Sequence, residues 1–177
     1  MSKNKKALQI ALAGNPNSGK TTLFNQLTGS NQYVGNWPGV TVEKKVGRMQ
    51  YENQEIDVFD LPGIYSLSPY SQEEIVSRNC IITDNPDIII NIVDSTNLER
   101  NLYLTTQIME LNVPMIIALN MTDILEKRGD KLNAKVLQKE LGVPVVKISA
   151  SKGTGIAELI KLSVELASSN YIPKRYN

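Results

Sequence analysis

Histidine is absent from this chain of 177 residues, and Cys80 is its only cysteine. Without these residues the chain cannot assemble an internal disulfide framework or the ligand set of a typical zinc site. An excess of charge of one sign is also missing, because 19 basic residues face 18 acidic ones and leave a net charge of +1. This balance provides no broad electrostatic surface for nucleic acid, so we expect no nucleic-acid partner.

Long apolar runs and an N-terminal signal sequence are missing as well. The longest apolar run, around residues 88–93, is far shorter than the ~20 residues that cross a bilayer as a helix. The sequence therefore predicts no membrane span. Its length is typical of one domain with a core of its own. We expect residues 1–168 to form that domain and residues 169–177 to be a tail or linker.

Short apolar runs rich in β-branched residues alternate with longer helical patterns along the chain, which predicts an α/β fold. We expect a doubly wound, mostly parallel six-stranded sheet with helices on both faces. The predicted strands are Leu8–Ala13, Val42–Tyr51, Ile56–Asp60, Ile88–Val93, Met115–Asn120 and Val145–Ser149. The predicted helices are Lys20–Thr28, Gln72–Thr83, Leu98–Leu111, Ala134–Leu141 and Ile156–Ala167. Too few residues separate the second and third strands for a crossover helix, which predicts one antiparallel hairpin at the edge of the sheet.

The segment Gly14–Thr21 has the sequence G-N-P-N-S-G-K-T and fits the phosphate-binding pattern G-x-x-x-x-G-K-[ST] directly after a predicted strand. Its glycines allow the backbone N–H groups to surround a phosphate, and the helix that follows adds its positive end. Lys20 is expected to reach the β- and γ-phosphates as a catalytic residue, and Thr21 to reach Mg²⁺. The candidate nucleotide-binding residues of this segment are Asn15, Asn17, Ser18, Gly19, Lys20, Thr21 and Thr22.

Two segments after later strands are candidates for base recognition. Asn120–Asp123 reads N-M-T-D and resembles the GTPase motif N-K-x-D, with Met121 in place of lysine. The Asp123 carboxylate can accept hydrogen bonds from the ring N–H and the amino group of guanine, whereas adenine lacks this pair of donors. The segment Ser149–Gly153, which reads S-A-S-K-G, resembles the loop whose alanine N–H meets the guanine carbonyl oxygen. The candidate base-binding residues are Asn120, Met121, Asp123, Ser149, Ala150 and Ser151.

Two further segments are candidates for loops that sense the γ-phosphate. Asp60 and Gly63 match D-x-x-G, in which the aspartate supports Mg²⁺ through water and the glycine N–H meets the γ-phosphate. Thr41 is the candidate switch threonine, which closes on Mg²⁺ and orients the attacking water. Thr21, Thr41 and Asp60 are thus the expected magnesium ligands. We expect Trp37 to lie in a mobile loop rather than in the core, because two glycines and a proline flank it.

Together these motifs resemble the G domain of the bacterial ferrous iron transport protein B family, FeoB, over nearly the whole chain. The most discriminating segment is Val34–Glu43, which reads V-G-N-W-P-G-V-T-V-E. The resemblance implies the fold of P-loop GTPases, with GTP or GDP, Mg²⁺ and K⁺ as cofactors. It also implies that K⁺ is held by Asn17 and by the carbonyls of Gly35 and Trp37, which makes Asn17 a candidate catalytic residue.

The resemblance further implies a place for this domain in a larger protein. Members of the family continue into helical and transmembrane regions, which would be its partners at the cytoplasmic face of the bacterial inner membrane. Iron is the family's transported substrate, but a chain without histidine and with one cysteine offers no good direct iron site. Whether the domain forms a homo-oligomer is left open by the sequence.

The position after D-x-x-G, where Ras-like enzymes carry a catalytic glutamine, is Ile64 here. An alkyl side chain cannot orient water, so we expect slow turnover. Glu73 and Glu74 could be mistaken for a catalytic pair, but Ser71–Glu74 fits a capping box that begins a helix. Two alternatives stay open: a soluble assembly or ribosome-associated GTPase, and a binding module that holds nucleotide without turning it over.

Overall fold

A computed structural model describes residues 6–169 together with Tyr171 and Pro173. Most of the tail expected at residues 169–177 lies outside the described residues. Within the described ranges no helix has both the length and the apolar character needed to cross a membrane. The strands found there are β1 (Leu8–Gly14), β2 (Gln32–Asn36), β3 (Glu43–Tyr51), β4 (Gln54–Asp60), β5 (Ile88–Asp94), β6 (Met115–Asn120) and β7 (Val145–Lys147). The α-helices are α1 (Lys20–Thr28), α2 (Gln72–Asn79), α3 (Leu98–Glu110), α4 (Thr122–Arg128), α5 (Ala134–Leu141) and α6 (Ile156–Ser168).

The strands form one mixed sheet in the order β2-β3-β4-β1-β5-β6-β7. The pairs from β4 to β7 are parallel, whereas β2, β3 and β4 pair in antiparallel fashion at one edge. The doubly wound sheet and the antiparallel β3–β4 hairpin are therefore confirmed. The count of six strands was wrong, because β2 adds a seventh strand from a segment that the sequence predicted to be a loop.

The central strands read as continuous apolar runs because both of their faces are buried. Along β5, Ile88, Ile90 and Ile92 point to the layer that contains α1 and α6, while Ile89 and Val93 point to the layer of α2 and α3. Every residue of β5 is buried. The two apolar layers fix the sheet between helices, and the carboxyl ends of β1, β4, β5 and β6 meet at one edge.

Two helical segments differ from the sequence prediction. Helix α2 ends at Asn79, and a π-helical turn, Cys80–Asp84, covers the rest of the predicted helix and extends one residue beyond it. Helix α4 was not predicted at all. It begins after Met121, whose left-handed backbone (φ 63°) turns the chain directly from β6 into the helix.

The capping box predicted at the start of α2 is confirmed. The Glu74 amide donates to Ser71 Oγ (3.1 Å), and the Ser71 amide donates to Glu74 Oε2 (3.0 Å). These reciprocal bonds pair backbone donors that the first turn of the helix leaves free. They also assign Glu74 a structural role.

Candidate functional site

The segment between β1 and α1 wraps around a cavity at the carboxyl edge of the sheet. Gly19 adopts φ 92°, a conformation that a residue with a Cβ rarely adopts. A Cβ at Gly14 would lie only 2.8 Å from Ser18 Oγ and 2.9 Å from the Ile92 carbonyl oxygen. Both glycines of the phosphate-binding pattern are therefore required by the backbone path and by close packing.

This phosphate cavity has a volume of about 570 Å³ and opens to solvent. Its walls are formed by Asn15, Pro16, Asn17, Gly19, Lys20, Thr21, Thr22, Gly63 and Met121. Beneath it, the buried side-chain atoms of Asn15 and the hydroxyl of Ser18 have no hydrogen-bond partner among the described residues. Buried polar atoms are normally paired, so these groups are available to a polar ligand.

A second cavity of about 350 Å³ adjoins the first and shares Lys20 and Thr21 with it. This magnesium cavity, as we call it from its ligand types, is also lined by Thr41 and Asp60, so the three expected magnesium ligands meet there. Hydroxyl and carboxylate oxygens are the hard donors that Mg²⁺ prefers, so the donor set fits that ion. Glu73 reaches the same cavity.

The Lys20 ammonium donates to Asp60 Oδ1 in an ion pair that is more than nine-tenths buried on both sides. Each of the two residues thus compensates the charge of the other. A buried charge left unpaired is strongly unfavourable, so the pair holds both groups in place at the boundary of the two cavities. Lys20 is already within reach of the space that a polyphosphate would enter.

Asn120 connects the phosphate-binding segment with the loop after β7. Its Nδ2 donates to the Ser18 carbonyl oxygen (2.9 Å), and its Oδ1 accepts from the Ala150 amide (3.0 Å). All three residues are buried. In this structure the Ala150 N–H, expected to meet a guanine carbonyl, is therefore engaged by Asn120, which acts as a tie between two loops.

The candidate base-binding carboxylate lies beside this tie. Asp123 is the second residue of α4, and its Oδ2 accepts from Lys152 Nζ at 3.1 Å. The hydrogen bond from Lys152, helped by one from the Ser149 side chain, lowers the pKa of Asp123 from its ordinary value. Asp123 is consequently ionised at neutral pH and restrained by donors from the loop after β7. Sequence reasoning included Lys152 in the candidate loop Ser149–Gly153 but assigned it no role.

Comparison with known proteins decides the family. The family model for ferrous iron transport protein B matches residues 8–163 of this chain. The chain belongs to the FeoB family. The resemblance seen in the sequence motifs is confirmed.

Relatives of the FeoB family show how much of the molecule is shared. The Fe(2+) transporter FeoB of Escherichia coli (strain K12) is 48% identical over 169 residues, covering 93% of this chain. The alignment covers 22% of that relative's length. An S. thermophilus NFeoB mutant bound to mGDP superposes with a TM-score of 0.89 at 53% identity, covering 94% of this chain and 64% of that one. The FeoB G-domain from Methanococcus jannaschii gives 0.83 at 46% identity, covering 93% and 99% respectively.

The segment Val34–Glu43 of this FeoB family domain, called the switch segment below, places Trp37 differently from the sequence prediction. Trp37 was expected outside the core, but it is 7% exposed and packs in the apolar layer with Val42, Leu61 and Ile64. The Lys44 ammonium lies 4.5 Å from the centre of its ring, a cation–π arrangement. The prediction that Trp37 lies in a mobile loop rather than in the core was therefore wrong for this side chain, which anchors the segment to the core.

The potassium ligand set implied by the resemblance is not assembled in this conformation of the FeoB domain. Asn17 lines the phosphate cavity, whereas Gly35 and Trp37 line neither that cavity nor the magnesium cavity. Gly35 belongs to β2 and pairs with Lys44 of β3. The Trp37 carbonyl oxygen accepts from the Val40 amide at 3.3 Å. These residues do not fit a shared cation site without rearrangement of the switch segment.

Proposed function

We propose that this FeoB family domain binds guanine nucleotide with Mg²⁺ and hydrolyses GTP to GDP and phosphate. The observation that carries the proposal is the adjacency of the phosphate and magnesium cavities, which share Lys20 and Thr21. A polyphosphate in the first cavity would place its terminal oxygens beside hydroxyl and carboxylate donors in the second. This is the arrangement that phosphoryl transfer by positioning and electrostatic stabilisation requires.

Lys20 is the residue whose partner changes when nucleotide binds. It pairs with Asp60 now, and a polyphosphate supplies an alternative anionic partner within the same buried boundary. Asp60 is then free to join Thr21 and Thr41 in holding Mg²⁺. The ion would neutralise charge that develops on the phosphate oxygens during transfer.

Turnover is proposed to be slow because the alkyl side chain of Ile64 cannot orient the attacking water. Ile64 is 4% exposed, and its amide donates to the Gly14 carbonyl oxygen at 3.1 Å. The residue therefore fixes the D-x-x-G segment against the end of β1 and presents no hydrogen-bonding side chain. Thr41, exposed at the magnesium cavity, is the candidate that remains for positioning the attacking water.

Guanine is the proposed base because Asp123 offers an ionised carboxylate beside the phosphate cavity. That group accepts from two donors on one edge of guanine, which adenine does not present. Support also comes from relatives, since the similar S. thermophilus protein is described as bound to mGDP. The same recognition should exclude ATP.

In the whole protein we propose that the domain acts as the cytoplasmic nucleotide switch of a ferrous iron transporter. The E. coli relative is named an Fe(2+) transporter, and this chain spans 22% of its length. Helical and transmembrane regions would be the domain's partners there. Nucleotide-driven ordering of residues 32–43 and 61–78 is the proposed signal, and K⁺ stimulation would need residues 35–37 to approach Asn17.

The test is release of phosphate from GTP by the purified domain, with Lys20→Ala as the loss-of-function variant. Lys161→Ala, exposed on α6 and remote from both cavities, is the matched control. We expect slow, Mg²⁺-dependent release that Lys20→Ala abolishes and that excess GDP, but not ADP, inhibits. Tight GDP binding without any release would instead support a nucleotide-dependent binding module, and inhibition by ADP would exclude the guanine assignment.

A further inference from the structure

The ion pair between Lys152 and Asp123 joins the loop after β7 to the first turn of α4, and both lie near the candidate base site. Lys152 belongs to the loop after β7, and Asp123 lies in the first turn of α4. The Nζ to Oδ2 distance is 3.1 Å. The Lys152 side chain is 51% exposed, whereas that of Asp123 is 20% exposed, so a ligand can still approach the carboxylate.

Position 121 explains why this pair matters. In the N-K-x-D pattern a lysine stands two residues before the aspartate, at the position of Met121 here. Met121 carries no charge. The Met121 side chain lines the phosphate cavity, and its Cε lies 3.9 Å from where a Cβ on Gly19 would be. Methionine therefore provides apolar contact on the phosphate-loop side, while the positive charge of the site comes from another loop.

The donors around Asp123 also restrain its orientation. Lys152 and the Ser149 side chain both act on the carboxylate and together stabilise its ionised form. Both belong to the loop that Asn120 ties to the phosphate-binding segment through Ala150. The position of the Asp123 carboxylate is thus linked to the position of the phosphate-binding segment. The same set of hydrogen bonds therefore positions the groups that recognise the base and those that recognise the phosphates.

We propose that Lys152 is a positioning residue for guanine recognition, which holds Asp123 in place and supplies the charge that position 121 lacks. This inference rests on the proposed function, because it assumes that Asp123 meets a guanine base. Lys152 acts through the carboxylate. Its effect should therefore depend on how many hydrogen bonds the base makes to Asp123.

The experiment compares GDP with inosine diphosphate, whose base lacks the exocyclic amino group and so offers Asp123 one donor instead of two. Dissociation constants are measured at fixed ionic strength with Mg²⁺ for the wild type, Lys152→Met and Lys152→Arg. Lys161→Met is the control for removing an exposed lysine elsewhere. Met121→Lys is made alone and together with Lys152→Met, and the thermal stability of each nucleotide-free variant is recorded.

We expect Lys152→Met to weaken GDP binding by roughly 1.5-fold to fivefold, the range for a partly exposed charged pair. The loss for inosine diphosphate should be smaller, so the preference for GDP over inosine diphosphate falls. Lys152→Arg and Lys161→Met should resemble the wild type. Met121→Lys should restore much of the lost affinity in the Lys152→Met background, because it returns a charge to the same site.

Three results would overturn the inference. If Lys152→Met binds GDP as tightly as the wild type, the Lys152–Asp123 pair does not contribute to GDP binding. If it binds GDP more tightly, Lys152 competes with the base for Asp123. Equal losses for both nucleotides, accompanied by lower thermal stability, would show that Lys152 only maintains the loop. A wild-type domain that binds no guanine nucleotide would refute the proposed function itself, whereas an unaffected Lys152→Met with a binding wild type refutes only this inference.

Discussion

Asn120→Ala should destabilise the domain even when no nucleotide is present. Asn120 is 3% exposed and makes one hydrogen bond to each of two loops, to the Ser18 carbonyl oxygen and from the Ala150 amide. Alanine removes both bonds and leaves two buried backbone groups without partners. The substitution thus separates the phosphate-binding segment from the loop after β7.

The size of the effect follows from these two bonds. Each buried group that loses its partner costs about 1–3 kcal/mol, so the two groups together cost roughly 2–6 kcal/mol in the free energy of unfolding. For a protein of this length the melting temperature should fall by about 4–24 °C. If Asn120 acted only as a ligand of the nucleotide, loss of its side chain would leave the stability of the nucleotide-free protein unchanged.

Urea denaturation of the nucleotide-free protein measures this prediction, with Asn79→Ala as control. Asn79 is exposed at the end of α2, and its replacement should change stability by less than about 0.5 kcal/mol. If Asn120→Ala unfolds at the wild-type urea concentration while its GDP affinity collapses, Asn120 is a base ligand only. That result would refute the view of Asn120 as a tie between loops.

Three further predictions concern stability and accessibility. Gly47→Ala should cost about 1–3 kcal/mol, because its Cβ would overlap Cγ2 and Cβ of Thr28. Thr28→Ser, which removes Cγ2, should recover part of the loss in urea denaturation. The Cys80 thiol is buried, and burial together with the nearby Asp84 charge raises its pKa to about 12. A thiol reagent at pH 8 should therefore label Cys80 only when the protein unfolds. Rapid labelling of the native protein would contradict the burial of this thiol. Burial alone would raise the pKa of Glu74, but hydrogen bonds from Ser71, Ser66 and Tyr70 outweigh it and lower the pKa overall from 4.5. The difference in unfolding free energy between the wild type and Glu74→Gln should therefore be constant at neutral pH and shrink as the pH falls below about 4.5. A difference that grows at low pH would contradict the direction of the pKa shift.

Local sequence patterns predicted the parts of the site whose geometry is local. The phosphate-binding segment needs Gly14 and Gly19 because of backbone path and close packing, and both constraints act within or beside one short segment. The strands β1, β5 and β6 are buried on both faces, and their continuous apolar runs predict them for that reason. Capping of α2 by Ser71 is likewise a matter of four consecutive residues.

Features that depend on distant partners were missed. Strand β2 is largely exposed and shows no apolar alternation, so only its pairing with β3 makes it a strand. Trp37 lies between glycines in a loop-like sequence, yet the turn that joins its amide to the Val42 carbonyl oxygen carries the ring into the core. The Lys152–Asp123 pair joins the loop after β7 to the first turn of α4, and only the parallel arrangement of β6 and β7 brings these two segments together.

The most direct test of the central claim is phosphate release from GTP by the purified domain with Mg²⁺, in K⁺ or Na⁺ buffers of equal ionic strength. The account predicts slow release in Na⁺. Because bound nucleotide is proposed to bring residues 35–37 toward Asn17, it also predicts faster release in K⁺ and loss of the K⁺ effect in Asn17→Ala. Equal rates in both salts would contradict the cation assignment and leave Asn17 as a turn residue. No release of phosphate above background in either salt would contradict the assignment of this domain as a GTPase.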